Sequence, residues 1–221
     1  MKIILFGATG QIGSVINKRL SENFEIIQIS SKKIITSANA EVEILNQVKN
    51  KNSIDGVIWS QGINQNDSIL DFKLSQFEAM MDANLKFILN TIKAILDLDL
   101  LKNPSSLVII SSIWQEFAKK NKLSYSISKA ALSALVKSLT LDLSERNIRV
   151  NSILPGVVDN EMTRQNLSQD EILKITDRTP SRKLISSVNI ADTAHFLLDQ
   201  KSQGINGQSI FVDNGWSINR D

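Results

Sequence analysis

Short apolar, β-branched runs alternate along this chain with longer stretches in which apolar residues return every three or four positions. Residues 3–6, 24–30, 41–45, 55–59, 108–110, 148–153 and the run within 207–216 read as strands, several of them apolar at consecutive positions. Consecutive apolar positions are the mark of strands covered on both faces, as in a parallel sheet. Between them, 14–20, 71–100, 124–144 and 189–201 carry helical periodicity. Strand and helix in alternation predict one doubly wound α/β domain over 1–221, with about seven parallel strands and helices on both faces. Its ligand crevice is then expected outside the carboxyl ends of the strands.

The glycines sharpen this picture. Gly7-Ala8-Thr9-Gly10-Gln11-Ile12-Gly13 follows the first strand directly and opens a helix. Glycine at such a turn admits unusual φ and close backbone approach, and the exposed N–H groups of the helix start bind a pyrophosphate. Strand, glycine loop and helix in that order make a dinucleotide site, with Gly7, Thr9, Gly10, Gln11, Ile12 and Gly13 as its candidate residues.

Residues 108–137 carry the candidate chemistry. A buried apolar run ends in Ser111 and Ser112, which puts a hydroxyl at a strand's carboxyl end. Tyr125 and Lys129 then open a helix, four positions apart and therefore on one face. A cation beside a phenol is expected to lower the phenol pKa and make it a proton donor near neutral pH.

Tyr125-Ser-Ile-Ser128-Lys129, with the serine pair upstream, resembles the catalytic segment of the classical short-chain dehydrogenase/reductase family. The resemblance runs from residue 3 to about residue 216. It implies hydride transfer between a nicotinamide cofactor and a carbonyl or secondary alcohol. Ser112 would polarise the carbonyl, Tyr125 would handle the proton, and Lys129 would bind the nicotinamide ribose. Asn84, in Asp82-Ala-Asn84-Leu, would distort its helix and hold a water beside the lysine. Pro155-Gly156 and Val158 would lie against the nicotinamide, with Asn160, Thr163 or backbone holding its carboxamide. Trp59-Ser60-Gln61-Gly62 stands where the family has Asn-Asn-Ala-Gly. There Gly62 would pass the cofactor, and Ser60 and Gln61 would lend polar contacts. Glu43-Ile44, at the end of the third strand, would touch the adenine. The glycine loop departs from the classical pattern, since Gln11 replaces its middle glycine; Gly-x-x-Gly-x-x-Gly is the form of the extended and atypical branches. A sugar-nucleotide epimerase of the extended branch would need a further carboxyl-terminal domain, and the chain is expected to end too soon for one.

The second strand ends in Ser30-Ser31-Lys32-Lys33, without the carboxylate that selects NAD. Ser31 and Lys32 would instead receive a 2′-phosphate, so NADP(H) is favoured and NAD(H) remains open. Residues 157–187 have weak periodicity and read as a substrate lid. Trp114 and Met162 are candidates to narrow the pocket. Lys119, Lys120 and Lys122 form either a solvated loop or an attraction for an anionic substrate.

Composition removes other classes. A net charge of +2 gives no reason to expect a nucleic-acid or membrane partner. The absence of cysteine and the single histidine leave no metal site and no Ser-His-Asp triad. No leader peptide or membrane span is read, and the protein is expected in the cytoplasm. Broad apolar stripes on the 71–100 and 124–144 helices, with the family habit of pairing them, imply a homodimer or homotetramer. A dinucleotide-binding protein without catalysis, acting as a sensor or scaffold, is the alternative.

Overall fold

The computed structural model describes residues 1–30 and 37–219. Six parallel strands form one sheet in the order β2-β1-β3-β4-β5-β6. They are β1 (Lys2–Phe6), β2 (Glu25–Ile29), β3 (Ile54–Trp59), β4 (Leu101–Ile110), β5 (Ile148–Pro155) and β6 (Ser209–Val212). The order reverses at β1, whose two neighbours are β2 and β3. Connections leave the sheet in opposite directions on either side of that point, and a crevice opens there.

Alternation along the strands sorts the core into two layers. Ile4 and Phe6 of β1 point to one face with Trp59, Ile109, Ile92 and Leu132. Ile3 and Leu5 point to the other, with Ile58, Val108, Ile16 and Ala194. The first layer is covered by α2 (Ser37–Gln47), α4 (Phe87–Asp97) and α5 (Leu123–Leu143), the second by α1 (Gln11–Leu20) and α8 (Ser187–Leu198). α3 (Leu74–Met81) precedes α4. Among the described residues no helix is long and apolar enough to cross a membrane.

Two expectations change. The sheet has six strands, because the segment read as the third strand, 41–45, lies inside α2. The alternation of Val42 and Ile44 imitates a strand, but the positions that face inward are Ala40, Ile44 and Val48, four apart. Val42 is 59% exposed while Ile44 is fully buried, which a strand could not arrange for residues two apart on one face. Glu43 and Ile44, expected by resemblance to touch adenine, therefore lie in a helix, and the Ile44 side chain is committed to the core under α4. Ser31 and Lys32 lie outside the described residues.

The helix expected over 71–100 is broken. A π-helical turn, Asp82–Lys86, separates α3 from α4. The 157–187 segment, expected as a lid, contains two short helices, α6 (Glu161–Asn166) and α7 (Gln169–Arg178), the second opened by a Ser168/Glu171 capping box. Its two ends meet, since the Asp159 amide donates to the Ile185 carbonyl at 2.7 Å and the Ile185 amide donates to the Val157 carbonyl at 3.0 Å.

Helical burial of α2 makes a direct prediction. Ile44→Ala should cost about 2–5 kcal/mol in urea unfolding, whereas Val42→Ala should stay within about 0.5 kcal/mol. Equal costs at the two positions would contradict the helix.

Candidate active site

β1 delivers the glycine loop to the switch point. Gly7 has φ +80°, and a Cβ there would lie 2.6 Å from the Gln61 amide nitrogen. A Cβ on Gly13 would fall 2.0 Å from the Gly7 carbonyl oxygen. Both positions are closed to any side chain, so loop, α1 and the turn after β3 are packed backbone on backbone. Gly10 precedes α1 in extended conformation and has no side chain to cap the helix. The Ile12 side chain packs into the α1–α8 layer, leaving its backbone for any ligand contact. A cleft of about 630 Å³ opens above, walled by Gly7, Thr9, Gly10, Gln61 and Gly62 on one side and by the α3–α4 segment on the other.

Ser60 and Gln61 part company. The Ser60 hydroxyl donates to the Phe6 carbonyl at 2.7 Å and ties β3 to β1, outside the cleft wall. Both polar atoms of the Gln61 amide are buried without a partner. An orphaned buried amide is costly, about 1–3 kcal/mol on mutational scales, and here it sits at the wall of a cleft built from glycine backbone. These features fit a nicotinamide dinucleotide: a cradle that Cβ atoms would fill, a bare helix start, and an amide without a partner.

Three elements converge beside this cleft. β4 carries Ser112 just past its end, 8% exposed, with its oxygen also accepting from the Trp114 amide at 3.3 Å. α5 brings Tyr125, whose phenol stands close enough to the Ser112 hydroxyl to be influenced by it. Lys129, one turn further, is 5% exposed and donates to the Ile110 carbonyl at 3.2 Å. Its ammonium stands 5.7 Å from the centre of the Tyr125 ring. Asn84, in the π-helical turn, is buried and fully engaged. Its Oδ1 accepts from the Ile63 amide at 2.8 Å, and its Nδ2 donates to the Ile63 carbonyl at 3.0 Å and to Ser128 Oγ at 2.9 Å. Ser128 Oγ donates in turn to the Tyr125 carbonyl at 2.8 Å. Gly62 makes room for this, since a Cβ there would lie 2.9 Å from Asn84 Oδ1.

Electrostatics differ from the expectation drawn from spacing. The Tyr125 phenol is pushed above its ordinary value, first by burial, against which the nearby Ser112 hydroxyl acts. Burial likewise pulls Lys129 down to about 8. Desolvation penalises each charged form, and at this separation it outweighs the help either gives the other.

Other anticipated residues fall nearby. Pro155 ends β5, and the Gly156 amide donates to the Val212 carbonyl at 2.9 Å, with a Cβ on Gly156 only 3.0 Å from Asp213. Val158 is buried beside Ile185 in the core. Asn160 Oδ1 caps α6 by accepting from the Thr163 amide at 2.9 Å, so that oxygen is already used. Trp114 packs edge-on against Trp216 with ring centres 5.4 Å apart, and Lys119 stands 5.4 Å above the Trp114 ring. The Met162 side chain lies outside what is described. His195 stacks on Phe24 far along α8, at 4.9 Å. Ser128 carries no signal of this role in the sequence, since nothing in the Tyr-x-x-x-Lys spacing says that Asn84 will reach it.

A family model described as "Enoyl-(Acyl carrier protein) reductase" matches residues 29–217. The chain belongs to the short-chain dehydrogenase/reductase family. It is 30% identical over 211 residues to a 3-oxoacyl-[acyl-carrier-protein] reductase FabG of Buchnera aphidicola, covering 94% of this chain and 84% of that one. A crystal structure of a short chain dehydrogenase family protein from Francisella tularensis superposes with a TM-score of 0.85 at 26% identity, over 98% of both chains. A gluconate 5-dehydrogenase from Burkholderia cenocepacia, in complex with NADP and tartrate, shares the fold with a TM-score of 0.89 at 20% identity, over 98% of this chain and 95% of that one. The protein is an NAD(P)-dependent oxidoreductase of this family.

The depressed lysine yields a stability prediction. The folded pKa of about 8 lies below the ordinary 10.5, so the folded state carries the full cost of a buried ammonium below about pH 8. That cost is relieved as pH rises from 8 to 10.5, because the folded protein loses the proton first. Lys129→Met should therefore be more stable than wild type at pH 7, by on the order of 1–3 kcal/mol less the lost Ile110 hydrogen bond. The difference should shrink through that window, as followed by urea unfolding at a series of pH values.

Proposed function

We propose that the chain reduces a carbonyl compound with NADPH, or runs the reverse oxidation, at the site where Ser112 and Tyr125 come together beside Lys129. Ser112 just past β4, with Tyr125 and Lys129 on α5 and the lysine ammonium only 3.8 Å from where a Cβ on the cleft-wall Gly62 would lie, is the observation that carries the reading. The nicotinamide, when bound, supplies or takes the hydride. Ser112 donates a hydrogen bond to the substrate oxygen as negative charge builds on it. Tyr125 transfers its phenolic proton to that oxygen in reduction and takes it back in oxidation. A phenol kept neutral by burial is a proton donor at neutral pH. Lys129 stabilises the phenolate formed at the moment of transfer and would hold the ribose. Asn84 locks the turn of α5 between Tyr125 and Lys129 through Ser128. Gly7, Thr9, Gly10, Gln11, Gly13, Gln61 and Gly62 would hold the pyrophosphate and the neighbouring sugars, while Pro155, Gly156 and Val158 would border the nicotinamide.

Substrate and cofactor preference follow from weaker signs. The Buchnera relative is named for reduction of a 3-oxoacyl thioester, and the same class is assigned to this chain. NADP(H) is favoured because Ser30-Ser31-Lys32-Lys33 offers cations and no carboxylate where β2 ends. The 157–187 segment would act as the lid. Exposed Leu89, Ile127 and Leu141 on α4 and α5 support pairing of these helices in a homodimer or homotetramer. The chain lacks cysteine and is assigned to the cytoplasm.

Two measurements test the reading. Tyr125→Phe should bind NADPH as wild type does and lose about 10²- to 10⁴-fold in kcat with a 3-oxoacyl thioester. A variant of near-normal activity would remove Tyr125 from the chemistry, and a wild type that binds NADPH without turning over any carbonyl would support the sensor alternative. In the second, NADPH should exceed NADH at least about tenfold in kcat/KM, and Lys32→Glu should narrow the gap. Equal use of both cofactors by wild type would end the NADP assignment.

A further inference from the structure

The first turn of α5 is not capped by its own sequence. Lys122 occupies the cap position, and its side chain makes no capping bond. The acceptor comes instead from Asp67, in the loop after β3. Asp67 Oδ1 accepts from the Ser124 amide at 3.0 Å, and Oδ2 accepts from the Ser124 hydroxyl. The backbones are joined as well: the Asp67 amide donates to the Asn121 carbonyl at 3.3 Å, and the Leu123 amide donates to the Asp67 carbonyl at 3.2 Å. Asp67 is 4% exposed and Ser124 is fully buried.

A buried carboxylate is an expensive cap. A serine or aspartate at position 122 would satisfy the same helix end from the surface without desolvating a charge. What the remote carboxylate adds is a tie between the turn carrying Gly62 and Ile63 and the residue immediately before Tyr125. The same loop is fixed at its other end by Asn84, which reaches Ser128 on the far side of Tyr125. The phenol is thus held between two braces, Asp67–Ser124 before it and Asn84–Ser128 after it.

We propose that Asp67 is a positioning residue, whose carboxylate at the start of α5 sets the depth and the charge environment of the Tyr125 hydroxyl. The role in turnover rests on the reading of Tyr125 as proton donor, but the placement does not. The groups facing the phenol are Ser112 and two ammonium groups, Lys129 and Lys122, each 5.7 Å from the ring centre. Asp67 is the carboxylate that acts on Lys122 from the same quarter. Without it, two cations and a bare helix end would face the ring, and the loosened turn would admit water. Both changes favour the phenolate.

Tyr125 is the only tyrosine in the chain, so ultraviolet titration of tyrosinate reads this residue alone. Asp67→Ala should lower the titration midpoint by about one pH unit relative to wild type. With a 3-oxoacyl thioester it should lower kcat about 10- to 100-fold while the KM for NADPH stays within about twofold. Asp67→Asn keeps an acceptor for the Ser124 amide and should restore most of kcat, with an intermediate midpoint. A variant that melts earlier yet titrates and turns over like wild type would reduce Asp67 to an ordinary helix cap and overturn the proposal. Should Asp67→Ala fail to fold, Asp67→Asn and Ser124→Ala carry the test, with smaller shifts in the same direction expected and unchanged midpoints overturning it. A wild type without carbonyl reduction would defeat the enzymatic reading while leaving the titration shift to decide this one.

Discussion

One side-chain amide holds the centre of this molecule together. Asn84 satisfies both backbone groups of Ile63, and its remaining donor reaches Ser128, which bonds the carbonyl of Tyr125. Three segments distant in sequence meet on that group: the turn after β3, the α3–α4 rod and the catalytic helix. The amide can reach all of them because the rod widens into a π-helical turn at Asp82–Lys86, which moves Asn84 off the ordinary helical face. Gly62 completes the arrangement by presenting no Cβ to the Asn84 oxygen. A local defect in one helix is thereby what sets the cleft floor and the phenol in one frame.

Burial then decides the charge state of that frame. A lysine one turn from a tyrosine invites the argument that the cation lowers the phenol pKa. In the folded site both groups are taken from water, and each is pushed toward its neutral form, Tyr125 upward and Lys129 down to about 8. On the proposed mechanism the lysine contributes when negative charge appears on the phenol oxygen, which is the transition state rather than the resting site. In the proposed reaction the neutral phenol beside Ser112 gives its proton, and the buried ammonium receives the resulting charge. Keeping an ammonium buried with one carbonyl partner costs stability, and perturbed groups of this kind collect at active sites.

Much of this was legible because it is local. The loop from Gly7 to Gly13 has a strand before it, a helix after it and glycines where backbone must meet backbone, and each is a short-range property. Tyr125 and Lys129 share a helix face by simple geometry. Position 41–45 misled because Val42 and Ile44 alternate over five residues while the true spacing, Ala40 to Ile44 to Val48, spans nine. Short windows cannot separate the two periods. Asp67 and Ser128 left no trace at all: one is an aspartate in a polar loop and the other a serine inside a helix, and their partners lie 57 and 44 residues away. Tertiary hydrogen bonds of that range have no signature in spacing. Electrostatic direction was equally hidden, since it depends on how deeply the site is buried.

The six-stranded sheet shows which parts of the architecture the chemistry needs. The expected extra strand would have extended the sheet beyond β2, the strand at that edge among the described residues. Ser112 follows β4, three places away, and the cleft opens between β1 and β3. Shortening the chain at the β2 edge therefore leaves the hydroxyl pair, the lysine and the π-helical turn untouched. What it alters is the side of the cleft where β2 ends and the adenosine half of a dinucleotide would lie. In sequence, β2 is followed by Ser30-Ser31-Lys32-Lys33 with no carboxylate, and α2 packs its apolar stripe directly on α4. The Ser112, Tyr125 and Lys129 cluster is anchored instead by Lys129 on the Ile110 carbonyl of β4 and by Asn84 on Ile63 and Ser128, away from that edge.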